Sequence, residues 1–184
     1  MQLKTMLIGM MLVVAASLAT AANPSLYAAA DLGQSSVSKD CAGLPATSEC
    51  KDTDVALRAV LGYQFSDHLG FEGGYVDAGE ISAKNGSLTS SVKASEWQFA
   101  VTGALPLNRQ FSIIGKAGLS VWELEASPSA LSATGRDFLV GGGVQYNVDP
   151  AFSIRAQYET HPVGDETTER YNMNLITIGF IGKF

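Results

Sequence analysis

Hydrophobic and polar residues alternate along most of this chain with the period of a strand rather than that of a helix. In "SEWQFAVTGAL", Trp97, Phe99, Val101 and Leu105 share one face, while Glu96, Gln98 and Thr102 take the other. In "LGFEGGYVDAG", Leu69, Phe71 and Tyr75 oppose Glu72. In "FSIIGKAGLSVWE", Phe111, Ile113, Ala117, Leu119 and Val121 oppose Lys116 and Trp122. In "AFSIRAQYETH", Phe152, Ile154, Ala156 and Tyr158 oppose Arg155, Gln157 and Glu159. The same pattern predicts strands near 26–36, 55–65, 69–79, 94–105, 111–123, 137–148, 151–161 and 171–184. The segments number about eight, an even count that suits up-and-down pairing.

The connections alternate short and long. The short ones are "SDH" after Phe65, "PLNRQ" after Leu105 and "DP" at Asp149-Pro150. The long ones run near 37–54, 80–93, 124–136 and 162–170 and are rich in Ser, Thr, Gly, Asp and Glu. Tight turns at one end and long polar loops at the other is the layout of a transmembrane barrel.

Which face carries the charge decides between a soluble barrel and a membrane one. Asp31, Arg58, Glu72, Glu96, Lys116, Asp137, Arg155, Glu159 and Lys183 fall on the polar side of their strands. Asp77 and Glu123 fall on the apolar side, both at strand ends beside long loops. The charged set is interleaved with Gly33, Gly62, Gly70, Gly74, Gly118, Gly141, Gly143 and Gly179. Small residues suit a crowded interior rather than a solvated surface. Tyr27, Tyr63, Phe65, Trp97 and Phe111 lie near strand ends and are read as an interfacial aromatic belt. The polar face is therefore expected inside and the apolar face against lipid.

Composition and targeting sharpen this. Hydrophobic residues make up 46% of the chain and charged ones 16%, below the roughly 25% of soluble domains. A net charge of −6 without clustered Lys and Arg argues against nucleic acid as a partner. Lys4, the apolar run from Met6 to Ala16 and Ala19-Thr20-Ala21 read as a secretory signal peptide over residues 1–21, leaving 22–184 as the mature barrel domain. Cys41 and Cys50 lie in a polar loop of an exported protein and are expected to form a disulfide. No metal site is expected, because His68 and His161 lie far along the chain from them.

An eight-stranded barrel is just wide enough for side chains to fill its interior. Asp31, Arg58, Glu72, Lys116 and Arg155 would then be forced together as an ion-pair network. Structurally such a network plugs the lumen; functionally, an exchange of partners would open a narrow pore. Signals for catalysis are weak. His161 stands beside Glu159, Asp165 and Glu166 in "YETHPVGDE" and is read as a solvated residue of the rim, with no oriented serine nucleophile to name.

Three stretches carry a family likeness: "YAAADLGQS", "GYQFSDHLGFEGGYVDAG" and "GGGVQYNVDPAFSIRAQYE". With the final phenylalanine, they resemble the OmpA-like transmembrane domain and the wider group of small eight-stranded outer-membrane barrels. The resemblance covers essentially the whole mature chain. It implies lumen charges at Glu72 and Arg155, an inward aromatic at Trp122, and an assembly signal ending at Phe184 that is read by the barrel-insertion machinery. Thr102 departs from it, standing where some relatives have a lumen lysine. Gly182 departs too, standing where the assembly signal usually carries a bulky side chain. Full-length OmpA proteins continue into a peptidoglycan-binding domain, and tethering by that route is not expected of this chain.

The expectation is an all-β protein, an eight-stranded antiparallel up-and-down transmembrane β-barrel of the bacterial outer membrane. It is expected to be monomeric, to need no cofactor and to meet lipid, lipopolysaccharide and possible surface ligands through its long loops. Its role would be structural or in surface interaction. A narrow pore for small solutes is the alternative, and a lipid-modifying enzyme comes third.

Overall fold

The computed structural model describes residues 25–37, 49–66, 68–85, 88–128, 131–163 and 171–184. The expected signal peptide lies outside the described residues, and so does Cys41, and with it the expected disulfide to Cys50. The strands are β1 (Ser25–Val37), β2 (Glu49–Lys51), β3 (Thr53–Gln64), β4 (Leu69–Asn85), β5 (Leu88–Pro106), β6 (Phe111–Ser127), β7 (Leu131–Asn147), β8 (Phe152–Val163) and β9 (Tyr171–Lys183).

Each strand pairs antiparallel with its neighbours, and β1 pairs with both β3 and β9. Because β4 also pairs with β5, the order β4-β3-β1-β9-β8-β7-β6-β5 closes on itself. The short β2 pairs with the far end of β4 and continues the wall position of β3 across Asp52. The wall thus has eight positions, and the barrel is closed, antiparallel and up-and-down. Closure leaves no free edge within the wall, which is what a strand needs in order to lie in hydrocarbon.

The side chains sort as the alternation predicts. Phe71, Val101, Ile113, Leu119, Val140, Tyr158, Ile176, Ile178 and Phe180 are exposed on the outside, while Asp31, Arg58, Glu72, Lys116 and Arg155 are buried within. Outward aromatics meet across strands: Tyr75 against Trp97 at 5.2 Å between ring centroids, and Phe111 against Tyr146 at 4.9 Å. The Tyr75–Trp97 pair lies towards the long-loop end and the Phe111–Tyr146 pair at the short-turn end, where an interfacial belt belongs.

Tyr27 does not join that belt. It shares the parity of Ala29 and Asp31, is buried inside, and donates its hydroxyl proton to Glu72 Oε1 at 2.8 Å. Its ring lies directly over Gly62, where an added Cβ would fall 2.0 Å from the ring carbon that bears the hydroxyl. The glycine is what makes room for the aromatic ring inside.

The short turns share one device. Ser66 Oγ accepts from the backbone of His68 and Leu69, Asn108 Oδ1 from Gln110 and Phe111, and Asp149 Oδ1 from Ala151 and Phe152. Each turn thus uses a short polar side chain to satisfy backbone donors that the ladder has released.

The long-loop end differs from the sequence reading. Much of 80–93 and 124–136 is strand: Ile81 pairs with Val92, Ser82 with Ser91, Leu124 with Ala133 and Glu125 with Ser132. Outside the lipid a hairpin needs no apolar face, and Ser, Thr and Val hold a ladder as well as larger residues do. A bulge between Asp77 and Gly79 introduces this extension. Gly79 takes φ +81° there, a conformation that favours glycine, and Asp54 Oδ2 accepts from Glu80 N at 2.7 Å.

Two consequences are testable by urea unfolding in lipid vesicles. Gly62→Val should cost about 1–3 kcal/mol by driving Tyr27 off Glu72. Gly182 faces outward opposite Phe152, and a Cβ there would meet nothing within 4 Å. Gly182→Tyr should therefore add about 0.5–1 kcal/mol through a new cross-strand aromatic contact. It should also speed the appearance of the folded band on unheated gels; an unchanged rate would remove Gly182 as the weak point of assembly.

Candidate functional site

The interior is built in three layers. At the short-turn end a cavity of about 370 Å³ is lined by Gln64, Thr102, Ser112, Asn147 and Lys183 and reaches inward to Glu72 and Arg155. Next comes a compact set of charged and amide side chains. Towards the long-loop end, Ala56, Val76, Ala78, Ala94, Trp122, Val163, Met173 and Leu175 form an apolar plug.

The middle layer is continuous. Asp31 accepts from Arg155 through both carboxylate oxygens, Nε and Nη2 each at 2.8 Å, and from Arg58 Nε at 2.8 Å. Arg155 Nη1 donates to Glu72 Oε1 at 2.5 Å. Arg58 Nη1 donates to Glu159, and Arg58 Nη2 to Gln157. Lys116 Nζ lies 3.0 Å from Glu159 Oε1 and 3.9 Å from Glu72 Oε2, and donates to Gln98 Oε1 at 3.0 Å. Gln98 Nε2 in turn donates to Glu96 Oε1 at 2.8 Å.

Asp31, Arg58, Glu72, Lys116 and Arg155 therefore lie in one cluster, drawn from β1, β3, β4, β6 and β8. Glu159 belongs to it fully, being the acid shared by Arg58 and Lys116. The bidentate Arg155–Asp31 contact is the geometry that a guanidinium fork prefers. Trp122 lies inside, with Nε1 donating to Asp137 Oδ2 at 2.9 Å. Thr102 lines the cavity, and its register partner across the strand pair is Lys116.

His161 is misplaced by the sequence reading. It is not a solvated rim residue: it is 2% exposed and points into the lumen, with Nε2 2.8 Å from Glu96 Oε2. The predicted strand, 151–161, already ends on His161, and β8 continues two residues beyond it to Val163, so His161 is an interior strand residue with the parity of Arg155 and Glu159. Neither ring nitrogen has an aligned hydrogen-bond partner, so the contact is one of ion-pair distance. Ser120 also donates to Glu96 Oε2. Serine and histidine both address the acid and not each other, which is not the arrangement of a nucleophile and its base.

The comparisons with known proteins agree with this geometry. The OmpA-like transmembrane domain matches residues 21–184. Outer membrane protein A of Shigella flexneri is 27% identical over 168 residues, covering 86% of this chain and 48% of that protein. The counterpart from Yersinia pseudotuberculosis is 28% identical over 137 residues, 68% of this chain and 39% of that one. The chain thus spans about half the length, or less, of these curated relatives.

Among solved structures, Neisserial surface protein A aligns at TM-score 0.68 and 18% identity, over 89% of this chain and all of that one. The Yersinia pestis attachment invasion locus protein Ail, solved with the heparin analogue sucrose octasulfate, aligns at 0.58 and 17% identity over the same shares. At those identities the likeness is one of fold. With the matched segment running from residue 21 to residue 184, the chain belongs to the OmpA-like transmembrane domain family, and its barrel is a bacterial outer-membrane barrel.

Proposed function

We propose that the protein is a structural and surface-interaction element of the outer membrane: a filled barrel that holds extracellular hairpins in place. The observation that carries this reading is the packed lumen. The ion-pair layer and the apolar plug above it occupy the interior, so the periplasmic cavity ends at Glu72 and Arg155. What the protein offers its surroundings is its lipid-facing wall and the raised β4–β5 and β6–β7 hairpins. Lipopolysaccharide surrounds the wall on the outer side, and the barrel-insertion machinery reads the end at Phe184. The barrel acts as a monomer and performs no catalysis.

The charge on the hairpins points to a ligand class. Asp77, Glu80, Glu123, Glu125, Lys93 and Arg136 face outward there, and Lys84 also lies on the β4–β5 hairpin, so four acids stand against three bases. Lys93 is already engaged with Asp77 at 3.3 Å. Ail is described with a polysulfated ligand; with its charges close to balance, this hairpin pair selects for neither sign strongly, and a polar, uncharged surface partner suits it best.

Three measurements test the reading. Purified barrel in planar bilayers should give no steady unitary conductance; a reproducible open channel would overturn it in favour of the narrow pore. Shortening 80–93 and 124–136 to tight turns should abolish attachment of expressing cells to a neutral polar surface such as immobilised polysaccharide, and leave the heat-dependent gel shift intact. Attachment that survives shortening removes the hairpins from the role. Arg155→Ala strands Asp31 and Glu72 inside the barrel, and should cost about 3–5 kcal/mol in vesicle unfolding. An unchanged stability would remove the network as the structural plug.

A further inference from the structure

The ion-pair layer leaves one acid without a permanent cation. Among the described residues, the buried charged side chains comprise the carboxylates Asp31, Glu72, Glu96 and Glu159 and the cations Arg58, Lys116 and Arg155. Asp31 is shared by both arginines, Glu72 is held by Arg155, and Glu159 by Arg58 and Lys116. Glu96 has no Lys or Arg at ion-pair distance among the described residues. Its neutral donors are Ser120 and Gln98, and Lys116 reaches it only through Gln98. The remaining contact is His161, with both side chains fully covered.

We propose that Glu96 and His161 form a buried proton-binding site, in which the imidazole carries one proton as the fourth cation of the lumen. Four carboxylates and three cations leave a net negative charge among buried side chains, and an uncompensated buried charge is strongly unfavourable. A proton on His161 cancels it where the acid is least compensated. The groups facing the pair do not offer a substitute. On β1 and β3, Asp31 and Arg58 are committed to the network, as are Glu72 on β4, Lys116 on β6 and Glu159 on β8 itself. On β7, Asp137 accepts from Trp122. β9 contributes Thr177 and Leu175, neither of them ionisable.

The proton ties β5 to β8 across the lumen, and the sign of its effect follows. A proton bound more tightly in the folded barrel than in the unfolded chain stabilises the fold on the acidic side of the histidine range. That stabilisation is lost as pH rises through the titration of the folded site.

The test uses the full chain in lipid vesicles, which has two histidines, His68 being exposed in a short turn. Nitrogen NMR of ¹⁵N-labelled histidine should find both ring nitrogens of His161 protonated in the folded wild-type barrel and not in Glu96→Gln. A neutral His161 in the folded wild type, or the same state in both proteins, would overturn the proposal. In urea unfolding, the wild-type folding constant should fall with rising pH by up to about tenfold per pH unit, the slope of one proton. Glu96→Gln and His161→Gln should each abolish that slope, and slopes equal to wild type would overturn the proposal as well. Should neither variant fold, the NMR of the wild-type protein decides alone.

Discussion

The ladder that joins Tyr27–Val37 to Met173–Lys183 is the contact on which the rest of this structure depends. Without it β1 and β9 would each present unpaired amides and carbonyls to lipid, where no water can satisfy them. With it the sheet closes at eight wall positions, and closure at that number sets an interior that side chains fill. The inward glycines, the ring of Tyr27 over Gly62 and the forced meeting of Asp31 with two arginines all follow from that limited width.

A narrow polar interior creates a second requirement. Its charges are buried, so they must neutralise one another. Arg58, Lys116 and Arg155 do this for Asp31, Glu72 and Glu159. Such a network adds little net stability, because desolvation offsets most of the Coulomb attraction, yet removing any one member exposes the full cost. The apolar plug beyond it carries no such obligation. Val76, Leu139 and Leu175 are simply covered. The two layers together occupy the lumen, one by electrostatic necessity and the other by packing.

Parity made most of this legible. Once Glu72 and Arg155 are assigned inward, every second residue on their strands follows, because the side-chain period of a strand is two. The misreadings arose at the ends of strands. His161 keeps the parity of Arg155 and Glu159, but the acids that follow it made it look like a loop residue. Residues 80–85 and 131–136 lack an apolar face, so alternation could not announce them, although the backbone ladder does not need one. Tyr27 was assigned by residue type, as a belt aromatic, against a parity that placed it beside Asp31.

The order of apolar and polar residues by itself determined that the chain would form an up-and-down barrel with its charges inside. That property is local, set by period two and by turn chemistry at Ser66, Asn108 and Asp149. Which charges meet was decided only by the tertiary structure. Arg155 reaches Asp31 from a strand 124 residues away in sequence, and Glu96 is left to His161 because the two arginines and Lys116 are already engaged. Partner choice across a closed lumen depends on stagger and on which side chains reach across it, and neither is written in any single strand.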